Sequence, residues 1–153
     1  MIKKVIIIIF ALLLWNTSYS APFDYSLFKG IQPGISKTKL INILKENKYG
    51  FIEKNNDVGG KYIEAKIDFS IDGIVLDTMR INFKDKKVKG ISFDLKKESL
   101  NLLKTKYDVE ANCKKVLDDK YDNIYYRFDN VTIGLLLDND MIVFFSVNIE
   151  CKE

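Results

Sequence analysis

Three aspartates and two tyrosines, Asp118, Asp119, Asp122, Tyr121 and Tyr125, fall within eight residues of one another. Carboxylates at such spacing can share general acid and base work on a glycosidic bond, provided that a cleft raises the pKa of one of them. The segment is short and polar, and a charge run of this kind is usually a solvated face. Asp138-Asn139-Asp140 begins like a calcium loop, but Val143 stands where that loop needs glycine and the stretch runs into an apolar strand, so it reads as a turn. Asn55 to Gly60 lacks the Lys-Ser/Thr of a phosphate-cradling loop. The chain has no histidine, which removes Ser-His-Asp and Cys-His nucleophile activation and the His-based zinc sites. No catalytic residue, metal site or cofactor can be assigned, and the sequence reads as a non-enzyme. Asp118, Asp119, Tyr121, Asp122 and Tyr125 are therefore read as binding residues. Acidic groups beside tyrosines would suit the basic, sugar-binding cleft of a peptidoglycan-cutting enzyme, through charge complementarity and aromatic anchoring.

The elements that would position these residues follow from periodicity. Ser36 is a good N-cap with Ile35 and Leu40 placed as a hydrophobic staple, and Leu40, Ile43 and Leu44 form one apolar stripe that Tyr49-Gly50 ends. Leu100, Leu103 and Tyr107 predict a second helix over Lys97 to Tyr107. Ile63 to Ile71 alternates apolar with polar residues and meets Asp72-Gly73, a two-residue hairpin turn. The alternation changes phase between Leu76 and Met79, which predicts a bulge near Asp77-Thr78. Further strands are expected through Met79, Ile81 and Phe83, through Ile91, Phe93 and Leu95, and over Ile124 to Phe128, Val131 to Leu137 and Met141 to Ile149. Lys84 to Lys89 is the densest basic stretch and falls where a hairpin turn is due. The segment from Asp118 to Tyr125 is expected as an exposed loop between the second helix and the Ile124 strand.

Sliding residues 78–95 by 54 places onto 132–149 aligns two hairpins without a gap, placing Val88, Ile91 and Phe93 on Ile142, Phe145 and Val147. The order helix, three strands, helix, three strands predicts an α+β fold: an antiparallel sheet of about six strands with both helices on one face, built as a tandem repeat. No parallel βαβ signal or glycine-rich nucleotide fingerprint accompanies it.

The compartment is read from the N-terminal segment and the cysteines. Lys3-Lys4, the apolar run Val5 to Trp15 and Ser18-Tyr19-Ser20 have the three parts of a secretory signal, so residues 1–20 are expected to be removed before Ala21, leaving 21–153 as one domain with no membrane span. Removal of Lys3 and Lys4 leaves 22 basic against 21 acidic side chains, a net charge of +1 that offers no footprint for nucleic acid. An even count of two cysteines in an exported chain predicts a Cys113–Cys151 disulfide, whose loop of about 38 residues would stabilise the fold by about 4 kcal/mol. Asn130-Val131-Thr132 is a glycosylation sequon, meaningful only in a eukaryotic secretory cell.

Gly30-Ile31-Gln32-Pro33-Gly34-Ile35-Ser36, running into Leu40, Ile43 and Leu44, resembles the helix opening of small bacterial envelope proteins of the BamE-like (SmpA/OmlA) and β-lactamase-inhibitor-protein-like kind. The resemblance covers about fifteen residues and implies helices laid on an antiparallel sheet. The chain lacks the lipid-attachment cysteine of the BamE-like pattern, which counts against an outer-membrane assembly role. Export, size, the cysteine pair and the missing catalytic chemistry together suit a periplasmic or secreted binding or inhibitory protein, such as an immunity protein against a toxin or an inhibitor of a lysozyme-like hydrolase. An envelope assembly accessory and a small-ligand carrier are the alternatives.

Overall fold

The computed structural model describes residues 23–56, 60–118 and 123–145, with backbone only at 117 and 118. Two α-helices and eight strands are formed among them. Helix α1 (Lys37–Glu46) starts where the sequence says it should, because the Ser36 hydroxyl accepts the Lys39 amide at 3.2 Å, and it buries Leu40 and Leu44. Helix α2 (Lys97–Glu110) has no side-chain cap on Lys96 and buries Leu100, Leu103 and Tyr107. Strands β1 (Phe51–Asn55), β2 (Lys61–Ile71), β3 (Ile74–Lys84) and β4 (Lys87–Asp94) follow α1, and β5 (Cys113–Asp118), β6 (Asn123–Arg127), β7 (Thr132–Leu136) and β8 (Met141–Phe145) follow α2. All eight join one antiparallel sheet in the order β1-β2-β3-β4-β8-β7-β6-β5.

The expectation of about six strands is thus wrong, and each repeat is a helix with four strands rather than three. The two strands without a clear signal, β1 and β5, are the sheet's edges. Phe-Ile-Glu-Lys-Asn and Cys-Lys-Lys-Val-Leu-Asp do not alternate cleanly, because an edge strand is half solvated and carries charges that discourage further pairing. The four-strand units meet at β4 and β8, whose antiparallel pairing (Ile91 opposite Phe144, Phe93 opposite Ile142) places the units head to head across the middle of the sheet. The gapless 54-residue slide fails at this seam. It matches Ile91, buried under the helices, to Phe145, which lies on the other face. The reason is a register shift that sets Asn82 opposite Gly90 but Phe83 opposite Val88, so Lys89 is one residue extra and reverses the phase of β4.

Both helices share one core with one face of the sheet. The short 3-10 turn at Tyr25–Phe28 drives Phe28 into its centre, with ring centroids 5.3 to 5.5 Å from Phe69, Phe93 and Phe144. Tyr107 of α2 meets Tyr126 and Phe128 edge-on at 5.6 and 5.3 Å. The Asp72-Gly73 turn closes β2 to β3 with φ of 52° and 79°, and Asp85-Lys86 does the same for β3 to β4 with 51° and 62°, in the left-handed geometry that matches strand twist. The register shift expected near Asp77 is there, but the additional residue lies on β2, where Ile67-Asp68 oppose Asp77. Among the described residues, no helix is long and apolar enough to cross a membrane.

Candidate binding surface

No described helix lies on the other face of the sheet, and register fixes what it presents. One row of outward positions crosses all eight strands: Ile52, Glu64, Arg80, Ser92, Val143, Gly134, Tyr125, Lys115. The neighbouring row reads Lys54, Tyr62, Asn82, Gly90, Phe145, Thr132, Arg127, Cys113. Ion pairs are concentrated over β2 and β3 and aromatic rings over β8 and β6.

Over β1 to β4 a group of charges is paired. Lys54 donates to Glu64 at 2.9 Å, Arg80 grips Asp94 through two bonds, one of 2.8 Å, and reaches Glu64 at 4.0 Å, and Lys66 bonds Thr78 at 2.7 Å. The Lys54 hydrogen bond holds the Glu64 carboxyl below its ordinary pKa. Over β8, β7 and β6 the outward residues are Met141, Val143, Phe145, Leu136, Gly134, Thr132, Asn123, Tyr125 and Arg127. Tyr125 and Phe145, both half-buried, lie with ring centroids 6.2 Å apart and planes inclined by 37°. Their rings rest where side chains are missing: a Cβ on Gly134 would meet Tyr125 Cε1 at 3.0 Å and Phe145 Cε2 at 3.4 Å, and one on Gly90 would meet Phe145 Cδ1 at 3.5 Å. Two glycines inside strands thus let two aromatic rings lie low over the sheet. Ser92, Thr132 and Val143, at 3%, 2% and 7% exposure, fill the spaces between.

A hollow of about 250 Å³ opens at one end of this platform, lined by Phe145, Val143, Gly90 and Phe83 together with Asn56, Asn82, Gly60, Lys61 and Lys89. Beneath the platform, Tyr126 carries the load on the inner face. Its hydroxyl donates to Asp108 Oδ1 at 2.8 Å, Lys114 Nζ meets the same oxygen at 2.7 Å, and Lys104 meets Oδ2 at 3.2 Å. These bonds, that of Lys114 foremost, pull the Asp108 carboxyl down to about 2. They tie α2 to β5 and β6 directly under Tyr125.

The five residues picked out as a binding loop are not one loop. Asp118 ends β5 and pairs with Asn123, and Tyr125 lies inside β6, so two of the five stand in paired strands at the sheet edge. Asp119, Tyr121 and Asp122 lie outside the described residues, as does the side chain of Asp118. Tyr125 alone of the five has a described side chain, and it belongs to the aromatic platform. Comparison with family models, with curated proteins and with solved structures returns no match. The site therefore stands on its own geometry.

The remaining sequence features find structural roles. Cys113 opens β5 and is disulfide-bonded, while Cys151 lies outside the described residues. Asp138 and Asn139 form a 3-10 turn with Leu137, and Asp140, at φ 52°, accepts the Leu95 amide through its carbonyl at 2.7 Å. The Asn130 side chain accepts the Phe23 amide at 2.8 Å and donates to its carbonyl at 2.9 Å, so the sequon asparagine is a clamp on the chain's first described residue. Phe145, Gly90 and Gly134 were missed as site residues. An isolated glycine inside an otherwise apolar strand is the signal that could have found them, since it marks a close approach.

Proposed function

We propose that the protein is an exported binding or inhibitory module of the bacterial envelope, and that it docks a protein partner on the aromatic half of the open sheet face. The observation that carries this reading is the Tyr125–Phe145 platform set over Gly134 and Gly90. Partly exposed aromatic rings beside Met141, Leu136 and Val143 are the side chains from which interface hot spots are built, and a sheet spends little entropy in holding them. The partner would be a toxin or a peptidoglycan-degrading enzyme, the reading already favoured by export, size and the absence of histidine. Removal of residues 1–20 and pairing of Cys113 with Cys151 belong to the same proposal, since both place the chain in an oxidising compartment.

The test is inhibition. The secreted protein is titrated into a panel of purified peptidoglycan hydrolases, alongside Phe145→Asp and Tyr125→Asp variants whose circular dichroism matches the parent. At least one enzyme should be inhibited near stoichiometrically by the parent, and the inhibition should fall by about a hundredfold or more in the Phe145→Asp variant, in keeping with a central hot spot. A panel that is not inhibited, or one inhibited equally well by both variants, overturns the reading.

A further inference from the structure

The charges around the hollow specify the partner's chemistry, given that the open face is the docking surface. Lys54, Lys66 and Arg80, three cations of the other half, each have a carboxylate within 4.0 Å. Lys61 and Lys89, both exposed, line the hollow; among the described residues no carboxylate lines it and neither lysine is within ion-pair distance of one. Glu53, whose carboxyl Lys61 helps to depress, is bound to Lys37 at 2.7 Å. Lys115 ends the same face beside Tyr125, opposite it across the β5–β6 ladder and exposed. Lysines thus stand at both ends of the apolar floor: Lys61 and Lys89 at the Phe145 end, Lys115 at the Tyr125 end. Asn56 and Asn82 add amides at the hollow, although the Asn56 Oδ1 already accepts the Gly60 amide at 2.6 Å.

We propose that the hollow receives an acidic segment of a protein partner, with a carboxylate between Lys61 and Lys89 and the adjoining apolar side chain laid against Phe145 over Gly90. A volume of about 250 Å³ suits one side chain rather than a whole folded element. An apolar group beside a carboxylate is the chemistry that a ring-floored, lysine-rimmed hollow complements, and unpaired rim cations speed encounter with an acidic surface. The sign is opposite to that expected from the aspartates of the β5–β6 hairpin, which would seek a basic partner.

Selection of a random peptide library displayed on phage against the folded, exported protein tests the proposal. The enriched peptides should carry Asp or Glu next to Phe, Trp, Leu or Met. A synthetic peptide of the consensus should bind about tenfold more weakly to a Lys61→Glu/Lys89→Glu variant and at raised salt, and with unchanged affinity to Lys45→Glu/Lys48→Glu. Enrichment that is not acidic, or a peptide indifferent to the Lys61/Lys89 reversal, overturns the inference and leaves the docking face standing if Phe145→Asp still abolishes binding. Peptides that bind Phe145→Asp and Tyr125→Asp as well as the parent overturn the docking face itself. No enrichment, or equal binding of peptide-free dextran sulfate, also overturns the inference.

Discussion

The two halves of the open face have the same alternation and opposite contents. Over β2 and β3, Glu64 and Arg80 are neighbours in a lattice that also holds Lys54 and Asp94, so the charges are spent on one another. Over β8, β7 and β6, the equivalent outward positions hold Val143, Gly134, Tyr125 and Phe145. Exposed ion pairs contribute little to stability, whereas apolar surface left in water costs solubility. The first half therefore carries surface ion pairs, and the second carries half-buried aromatic rings between buried small side chains. Inside the molecule the halves also differ: β5 and β6 are fastened to α2 through Asp108, whereas α1 meets β1 through the Lys37–Glu53 pair at 2.7 Å, with both side chains a third or more exposed.

Gly134→Val is the substitution that should break the contrast most severely. Its first carbon alone would stand 3.0 Å from the Tyr125 ring, so the ring must lift and the platform must come apart. Overpacking at such a site costs about 1–3 kcal/mol, and urea unfolding should show it together with loss of partner binding.

Asp108→Ala comes next. The Tyr126 hydroxyl, on a fully buried residue, loses its acceptor, and the cost should be about 1–3 kcal/mol by chemical denaturation. The pH dependence gives a finer test. The folded Asp108 carboxyl titrates at about 2 against an ordinary value of 3.8, so the folded state favours the charged form. Its contribution is complete above the ordinary value and is lost as pH falls from about 4 through about 2. Stability of the parent should decline across that window, and Asp108→Asn should decline less steeply. On the other half, Glu64→Gln removes a half-buried carboxylate from a surface pair and should change stability by no more than about 1 kcal/mol, with binding unaffected.

The sequence made plain whatever depends on local chemistry. Ser36 with Ile35 and Leu40 defined the start of α1, Asp72-Gly73 defined a hairpin, and Leu100, Leu103 and Tyr107 defined the buried side of α2. The two edges escaped, since β1 and β5 owe their pairing to β2 and β6 rather than to their own pattern. Lys89 defeated the repeat because one inserted residue turns a strand over, and nothing local to Lys87-Val88-Lys89-Gly90 announces that. The candidate surface escaped for a related reason. Gly90 is distant in the chain from Tyr125, Gly134 and Phe145, and the four become one platform only when β4, β8, β7 and β6 are ordered side by side. The aspartates at 118, 119 and 122 drew notice because they are adjacent in sequence, which is a property of the chain and not of the face.

Hydroxyl-radical footprinting of the protein, free and saturated with an enzyme that the inhibition panel identifies as a partner, tests the proposed docking face most directly. Tyr125 and Phe145 report the aromatic half, and Ile52, at 53% exposure on the same face of β1, reports the ion-paired half. The account predicts that oxidation of Tyr125 and Phe145 falls several-fold on complex formation while that of Ile52 is unchanged. Protection of Ile52 with Tyr125 and Phe145 still reactive would contradict it.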